Sequence, residues 1–219
     1  MINNRVYIVY DFETGSLNGD TTQPLELAAI AVCPRKLEII PNSLFHSRIK
    51  PLSDAQALKK GLDPVEKGAL DKNKLDLKEL KNWPDEKTVW QSFTEYTFQW
   101  NIKRDSWNSL ISVGFNIDSF DSKIINRLAK TYGPWDDKKN WQKIFNPIQT
   151  IDLKDLLWQI NENNPEIEFN SFDAVRKWLG KEESGLEHTA SEDVLDIAHV
   201  FCKVQRLIRY WSSKTVFKW

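Results

Sequence analysis

Val6-Tyr7-Ile8-Val9-Tyr10-Asp11-Phe12-Glu13-Thr14-Gly15 is the stretch on which the reading of this chain turns. Its first five residues are β-branched or aromatic, a density that reads as a buried strand. Side chains alternate faces along a strand, so Asp11 and Glu13 project the same way and Phe12 the other. Two carboxylates side by side on a core strand repel each other and cost desolvation energy. A divalent cation held by hard oxygen ligands cancels that repulsion. On this stretch alone a second reading stays open, in which the strand ends at Tyr10 and both carboxylates sit in water.

The rest of the composition sets bounds. A chain of 219 residues, 41% hydrophobic and 28% charged, can bury a full core as one domain, with a core over about residues 5–210 and a tail at 211–219. A net charge of −1 makes it no general trap for polyanions, so any nucleic-acid attraction is local and metal-assisted. Most of the ten tryptophans read as packing, with one or two near the site able to stack on a base. Cys33 and Cys202 lie far apart in apolar contexts and read as reduced core thiols. No apolar stretch has membrane-spanning length, and Met1 to Arg5 lead straight into the strand without a secretory pattern. The expectation is a cytoplasmic protein with no membrane partner.

Outward from the first strand, residues 25–33 read as a second strand, stopped by Pro34, and residues 43–50 as a third, stopped by Pro51. Short connections make these three an antiparallel meander. Asp54 begins a short helix that Gly61 ends, and Asp63-Pro64 has the pattern of an N-cap followed by proline at the first helical position. Val89, Phe93, Tyr96 and Trp100 share a helical face ahead of a fourth strand at 110–115. Ile124, Ile125, Leu128, Ala129 and Tyr132 mark another helix, and 148–153 a fifth strand. Ser171 caps a helix closed by Gly180, and a long helix runs over roughly 191–210. Strands alternating with helices require parallel crossovers. The fold class is therefore α/β, a mixed five-stranded sheet flanked by helices.

Acidic groups recur at equivalent points of this order: Asp11 and Glu13, then Asp118 and Asp121 beyond the fourth strand, then Asp193 at the start of the last helix. Sites in such sheets collect at the carboxyl ends of strands. Four carboxylates around one point suit two divalent metals, which clamp an in-line phosphoryl displacement. His188, close by in sequence, titrates near neutrality and suits deprotonation of an attacking water. Taken singly, Asp193 is an ordinary helix N-terminal acid and His188 an ordinary loop histidine.

Together these motifs resemble the DEDDh class of DnaQ-like 3′→5′ exonucleases, of the ribonuclease-H-like superfamily. Asp11-Phe12-Glu13-Thr14 is similar to the family's Asp-x-Glu-Thr, Asn116 with Phe120-Asp121 to its second motif, and His188-Thr189-Ala190 with Asp193 to its third. The resemblance spans Val6 to about Val204 and implies a ribonuclease-H-like fold. It implies two divalent cations, Mg²⁺ with Mn²⁺ as a substitute. Asp11, Glu13 and Asp193 would hold the one nearer the nucleophile, Asp11 would bridge, and Asp121 would support the second. It makes His188 the general base that releases nucleoside 5′-monophosphates from the 3′ end of single-stranded DNA or RNA. It places Thr14, Leu17, Asn116 and Phe120 at the substrate, with Leu17 as a wedge against the terminal base. A polymerase or repair partner would act in trans.

The family's usual Thr-Thr-Gly-Leu is here Thr14-Gly15-Ser16-Leu17, so the loop for the 3′ end differs. Asp121 is preferred over Asp118 because Phe120 precedes it and Ile124-Ile125 follow; Asp118 reads as a loop acid or N-cap. Lys203, Arg206, Arg209, Lys214 and Lys218 follow the last acid, either as a solvated helix face or as a phosphate-tracking patch. His46 and His199 read as structural. The same fold would also serve a nucleic-acid-end binding module or an endonuclease; intact catalytic positions weigh against the first, and a blocked 3′ end distinguishes the second.

Overall fold

A computed structural model describes residues 5–101, 109–164, 171–180 and 189–214. Strand β1 (Tyr7–Thr14) pairs antiparallel with β2 (Pro24–Cys33), Tyr7 opposite Val32 and Glu13 opposite Glu26. The other edge of β2 carries β3 (Glu38–Ile39) and β4 (Phe45–Arg48), both antiparallel. Three short helices follow: α1 (Asp54–Lys59), α2 (Lys67–Asn73) and α3 (Leu77–Leu80). Helix α4 (Glu86–Trp100) precedes β5 (Leu110–Gly114), which lies parallel to β1.

Helix α5 (Asp121–Tyr132) leads into a small ribbon, β6 (Trp135–Asp136) with β7 (Trp141–Gln142). Strand β8 (Phe145–Asp152) then pairs parallel with β5, and α6 (Leu153–Asn161), α7 (Phe172–Trp178) and α8 (Ala190–Lys214) close the order.

Among the described residues the sheet runs β3-β2-β1-β5-β8 with β4 also on β2, so six strands rather than the expected five. The addition is the two-residue β3, formed where the chain reverses after Cys33. Leu37 takes a left-handed φ of 54° there, and no period-2 pattern reveals a pair so short. The meander and the parallel crossovers are as expected. The third strand is confined to 45–48, whereas the fifth begins three residues early, at Phe145. Its entrance is bulged: the Asn146 side chain accepts from the Ile148 and Gln149 amides at 3.0 Å, so Asn146-Pro147 distorts the strand without ending it.

One correction concerns Asp63, which caps no helix. Its carboxylate accepts from Thr21 Oγ1 at 2.6 Å and Ser16 Oγ at 3.0 Å, and Glu66 is the N-cap of α2. Two partners in the 15–22 loop satisfy that carboxylate better than one orphan amide.

Two apolar layers flank the sheet. Tyr7, Val9, Ile30, Val32 and Val113 pack under α8 through Val194, Ile197 and Phe201. Ile8, Tyr10, Phe12, Leu27 and Ala29 pack under α4 and α5 through Trp90, Phe93, Ile124 and Leu128. Burial of each large apolar side chain contributes about 2 kcal/mol, and Tyr7 meets Phe201 edge-on at 4.9 Å. These layers fix the two helices that bring acids to the strand ends. Cys33 and Cys202 are both free thiols. Among the described residues no helix is long and apolar enough to cross a membrane.

Candidate metal centre

The alternation along β1 holds to its end. Ile8, Tyr10 and Phe12 face α4 and α5, so Asp11 and Glu13 share the face covered by α8. Both carboxylates are half-buried, and with Asp193 each offers an oxygen within 4.8 Å of the others'. Asp193 arrives on the first turn of α8, where the helix dipole favours an acid. Strand and helix thus converge three carboxylates from opposite ends of the chain. The solvent-exposed reading of Asp11 and Glu13 is set aside: the strand continues to Thr14.

Asp121 reaches the same place by another route. Pairing of β1 with β5 covers only Tyr7 to Val9, so farther along the strands part and leave the Phe12 amide without a ladder partner. Asp121, the first residue of α5 and 5% exposed, fills the gap with Oδ1 at 3.2 Å from that amide. It sits beside Asp11 without belonging to the three-carboxylate cluster. Asp118 is exposed in the loop, its amide donating to Asp152 at 3.2 Å.

The electrostatics show what this crowding costs. Burial, then repulsion from Asp121, Glu13 and Asp193, holds the Asp11 carboxyl well above its ordinary pKa, with Arg176 opposing. Burial, then Asp193 and Glu26, pushes Glu13 up to about 8, and Lys72 opposes. Burial pushes Asp121 to about 7 against the Phe12 hydrogen bond. Oxygen-only donors that repel one another and resist ionisation suit a hard divalent cation, whose charge would stabilise all of them as carboxylates. The residues present fit such an ion.

Sequence patterns gave no warning of Arg176. From α7 its Nη2 donates to Asp193 Oδ1 at 2.5 Å, Nε to Asp196 Oδ2 at 2.9 Å and Nη1 to Asp173 Oδ1 at 2.8 Å, and it lies 4.6 Å over the Phe172 ring. The guanidinium orients Asp193 and supplies the cluster with a positive charge of its own. Spacing of Asp193 and Asp196 on one helical face was the available signal, but nothing in it named a partner 17 residues back.

The loop after β1 is tightly held. The Gly15 amide donates to the Gln23 carbonyl (2.9 Å) and its carbonyl accepts from the Glu66 amide (2.8 Å), the Ser16 amide donates to Thr22 Oγ1 at 2.9 Å, and Asn73 donates to the Thr14 carbonyl at 3.2 Å. Arg127 on α5, also without a sequence signal, donates to the carbonyls of Asp20 (3.0 Å) and Thr22 (2.7 Å). On this braced loop Leu17 is 86% exposed.

Asn116 adopts a left-handed φ of 62°; its amide donates to Asp152 at 2.8 Å and its side-chain oxygen accepts from Ser119 at 2.9 Å, so it braces the second-motif loop. Phe120 is half-buried against the α5 layer. His188 and Lys218 lie outside the described residues.

Arg206 and Arg209 donate to the carbonyls of Leu37 (2.6 Å) and Arg35 (3.5 Å), contacts that link α8 to the β2–β3 turn. His46 is structural, bonded to Glu26 at 2.8 Å. A cavity of about 210 Å³ lined by Tyr10, Ser122, Trp141, Gln142 and Asn146 includes none of Asp11, Glu13 and Asp193.

No protein-family model and no curated protein matches the chain. Solved structures do. Cell-death related nuclease 4 superposes with a TM-score of 0.67 at 14% identity, covering 94% of this chain and 65% of that one. The zinc-bound complex of E. coli exonuclease I with single-stranded DNA gives 0.70 at 18% identity, covering 95% of this chain and 43% of the other. The same enzyme with a dT13 oligonucleotide gives 0.70 at 17%, covering 94% and 43%. The chain spans just under two thirds of the first protein and less than half of exonuclease I. At such identities the likeness is one of fold. This chain has the fold of cell-death related nuclease 4 and of exonuclease I, a mixed sheet of parallel and antiparallel strands flanked by helices.

Proposed function

We propose that the chain is a divalent-metal-dependent 3′→5′ exonuclease acting on single-stranded ends. The observation that carries this reading is the convergence of Asp11, Glu13 and Asp193 within 4.8 Å, with Asp121 beside them on the Phe12 amide. Asp11, Glu13 and Asp193 would hold one Mg²⁺ or Mn²⁺, and Asp121 with Asp11 a second. When bound, the ions supply charge stabilisation of the phosphoryl transition state and acidify the attacking water.

The chain's own residues do the rest. His188 accepts the proton of that water on a ring nitrogen as it attacks the terminal phosphodiester. The bond from phosphorus to the 3′ oxygen of the penultimate nucleotide breaks, that oxygen gains a proton, and a nucleoside 5′-monophosphate leaves. Leu17, projecting from a loop that Asp63 and Arg127 hold rigid, packs against the terminal base. The bonds fixing Thr14 and Gly15 keep that wedge at a set distance from Glu13. Asn116 and Phe120 shape the rim, Asn116 by bracing its loop. Single-stranded DNA is the first substrate to test, since exonuclease I is bound to it in its solved complexes.

The test is degradation of 3′-labelled oligonucleotide by purified protein in Mg²⁺ or Mn²⁺. Loss of activity in EDTA and in Asp11→Ala is the expected result. Full activity in a Glu13→Gln, Asp193→Asn double variant would overturn the reading.

A further inference from the structure

Glu26 lies at the heart of the sheet, 1% exposed, on the face that α8 covers. It sits directly opposite Glu13 in the β1–β2 register, where like charges destabilise a sheet and Glu26 helps push the Glu13 carboxyl up. A core position facing another acid would normally carry an apolar residue. Yet its neighbours are arranged to keep it: His46 Nε2 lies 2.8 Å from Oε1, and Arg48 Nε lies 3.6 Å from Oε2, both from β4.

The remaining contact explains the arrangement. The backbone amide of Ala190, the first residue of α8, donates to Glu26 Oε1 at 3.2 Å. The opening amides of a helix have no intrahelical acceptor, and an anion there also meets the positive end of the dipole. Farther along the first turn, Glu192 and Asp193 donate to the Thr189 carbonyl at 3.0 Å, so Ala190 relies on the carboxylate from β2. Ala190 and Asp193 are three residues apart, less than one turn of 3.6 residues. A displacement at Ala190 is therefore transmitted to the carboxylate that must meet Asp11 and Glu13.

We propose that Glu26 is a positioning residue for the metal centre: it pins the first turn of α8 so that Asp193 reaches β1, while His46 and Arg48 fix the orientation of its side chain. The proposal rests on the reading of Asp11, Glu13 and Asp193 as metal ligands. It also explains why an acid is kept beside Glu13, because an apolar residue at this position would leave the Ala190 amide unpaired.

The test compares Glu26→Ala and Glu26→Gln with the unaltered protein in two measurements. One is Mn²⁺ binding to metal-free protein by calorimetry; the other is hydrogen exchange of the amides of residues 190–193. Glu26→Ala is expected to weaken Mn²⁺ binding at least tenfold and to speed exchange at residues 190–193 at least tenfold. Glu26→Gln keeps side-chain volume and an acceptor for Ala190, and is expected to fold and to recover most of both losses. Mn²⁺ affinity and exchange in Glu26→Ala within twofold of the unaltered protein would overturn the proposal. So would a folded Glu26→Gln as defective as Glu26→Ala in both readouts. Failure of the unaltered protein to bind Mn²⁺ would overturn the metal-centre reading instead, and the exchange comparison would still decide whether Glu26 pins α8.

Discussion

Removing divalent cations should make the stability of this protein fall as pH rises through neutrality, the reverse of common behaviour for acids in ion pairs. Glu13 has an ordinary pKa of 4.5 and is pushed up to about 8 in the fold by burial, Asp193 and Glu26; Asp121 is pushed up to about 7. Folded protein therefore binds protons more tightly than unfolded chain across this range. The favourable contribution is complete below about pH 4.5 and is lost as pH rises through 7 and 8.

Each tenfold difference in proton affinity corresponds to about 1.4 kcal/mol. Glu13 alone would then account for up to about 4–5 kcal/mol, less whatever water reaching its half-buried carboxylate screens. In a domain of this size 1 kcal/mol moves the midpoint by roughly 2–4 °C, so the fall between pH 5 and pH 8 is on the order of 10 °C. The assay is calorimetric melting in EDTA across that range, repeated with Mg²⁺, which should restore most of the loss at pH 8. Metal-free Glu13→Gln should melt above the unaltered protein at pH 8 and level with it at pH 5. A metal-free midpoint that is flat or rising from pH 5 to pH 8 would refute the electrostatic reasoning, as would Glu13→Gln that destabilises equally at both pH values.

Other expectations follow from single contacts. Arg176→Met strips Asp193, Asp196 and Asp173 of their shared partner while preserving much of the volume. Breaking so enclosed a network should cost about 3 kcal/mol in urea unfolding. Gly114→Ala places a Cβ 2.1 Å from Ile117 Cγ2 and 3.0 Å from the Tyr10 carbonyl, a backbone atom that cannot rotate away. A cost of about 2–3 kcal/mol or more is expected, with weaker Mn²⁺ binding because β1 and β5 part just there. Leu17→Ala should leave the melting midpoint within about 1–2 °C, given its 86% exposure, yet raise KM for oligonucleotides several-fold. An unchanged KM would remove Leu17 from the substrate site.

What the sequence made legible follows from the range of the forces involved. The apolar run at 6–10 and the alternation of Asp11 with Glu13 report on one strand, and local pattern suffices for that. The position of Asp121 was legible through Phe120 and the apolar face of α5, although its hydrogen bond to Phe12 depends on two strands diverging. Arg176 was not legible, because arginines are common on helix surfaces and only the packing of α7 beside α8 singles this one out. Glu26 was hidden more thoroughly. It sits within a run of nine residues read correctly as a strand, and one acid there resembles an outward-facing residue until β4 and α8 enclose it. Asp63 misled for a related reason: Asp-Pro is a good local helix start, but the tertiary demand of Ser16 and Thr21 outweighed it.

The claim that this cluster removes nucleotides from a 3′ end is tested most directly by the products of a time course on 5′-labelled single-stranded DNA, with and without a nuclease-resistant 3′-terminal linkage. In Mg²⁺ or Mn²⁺ the unblocked strand should shorten one nucleotide at a time, with release of nucleoside 5′-monophosphates. The blocked strand should persist, and Asp11→Asn should leave both intact. Internal fragments from the blocked strand, or equal cleavage by Asp11→Asn, would contradict the account.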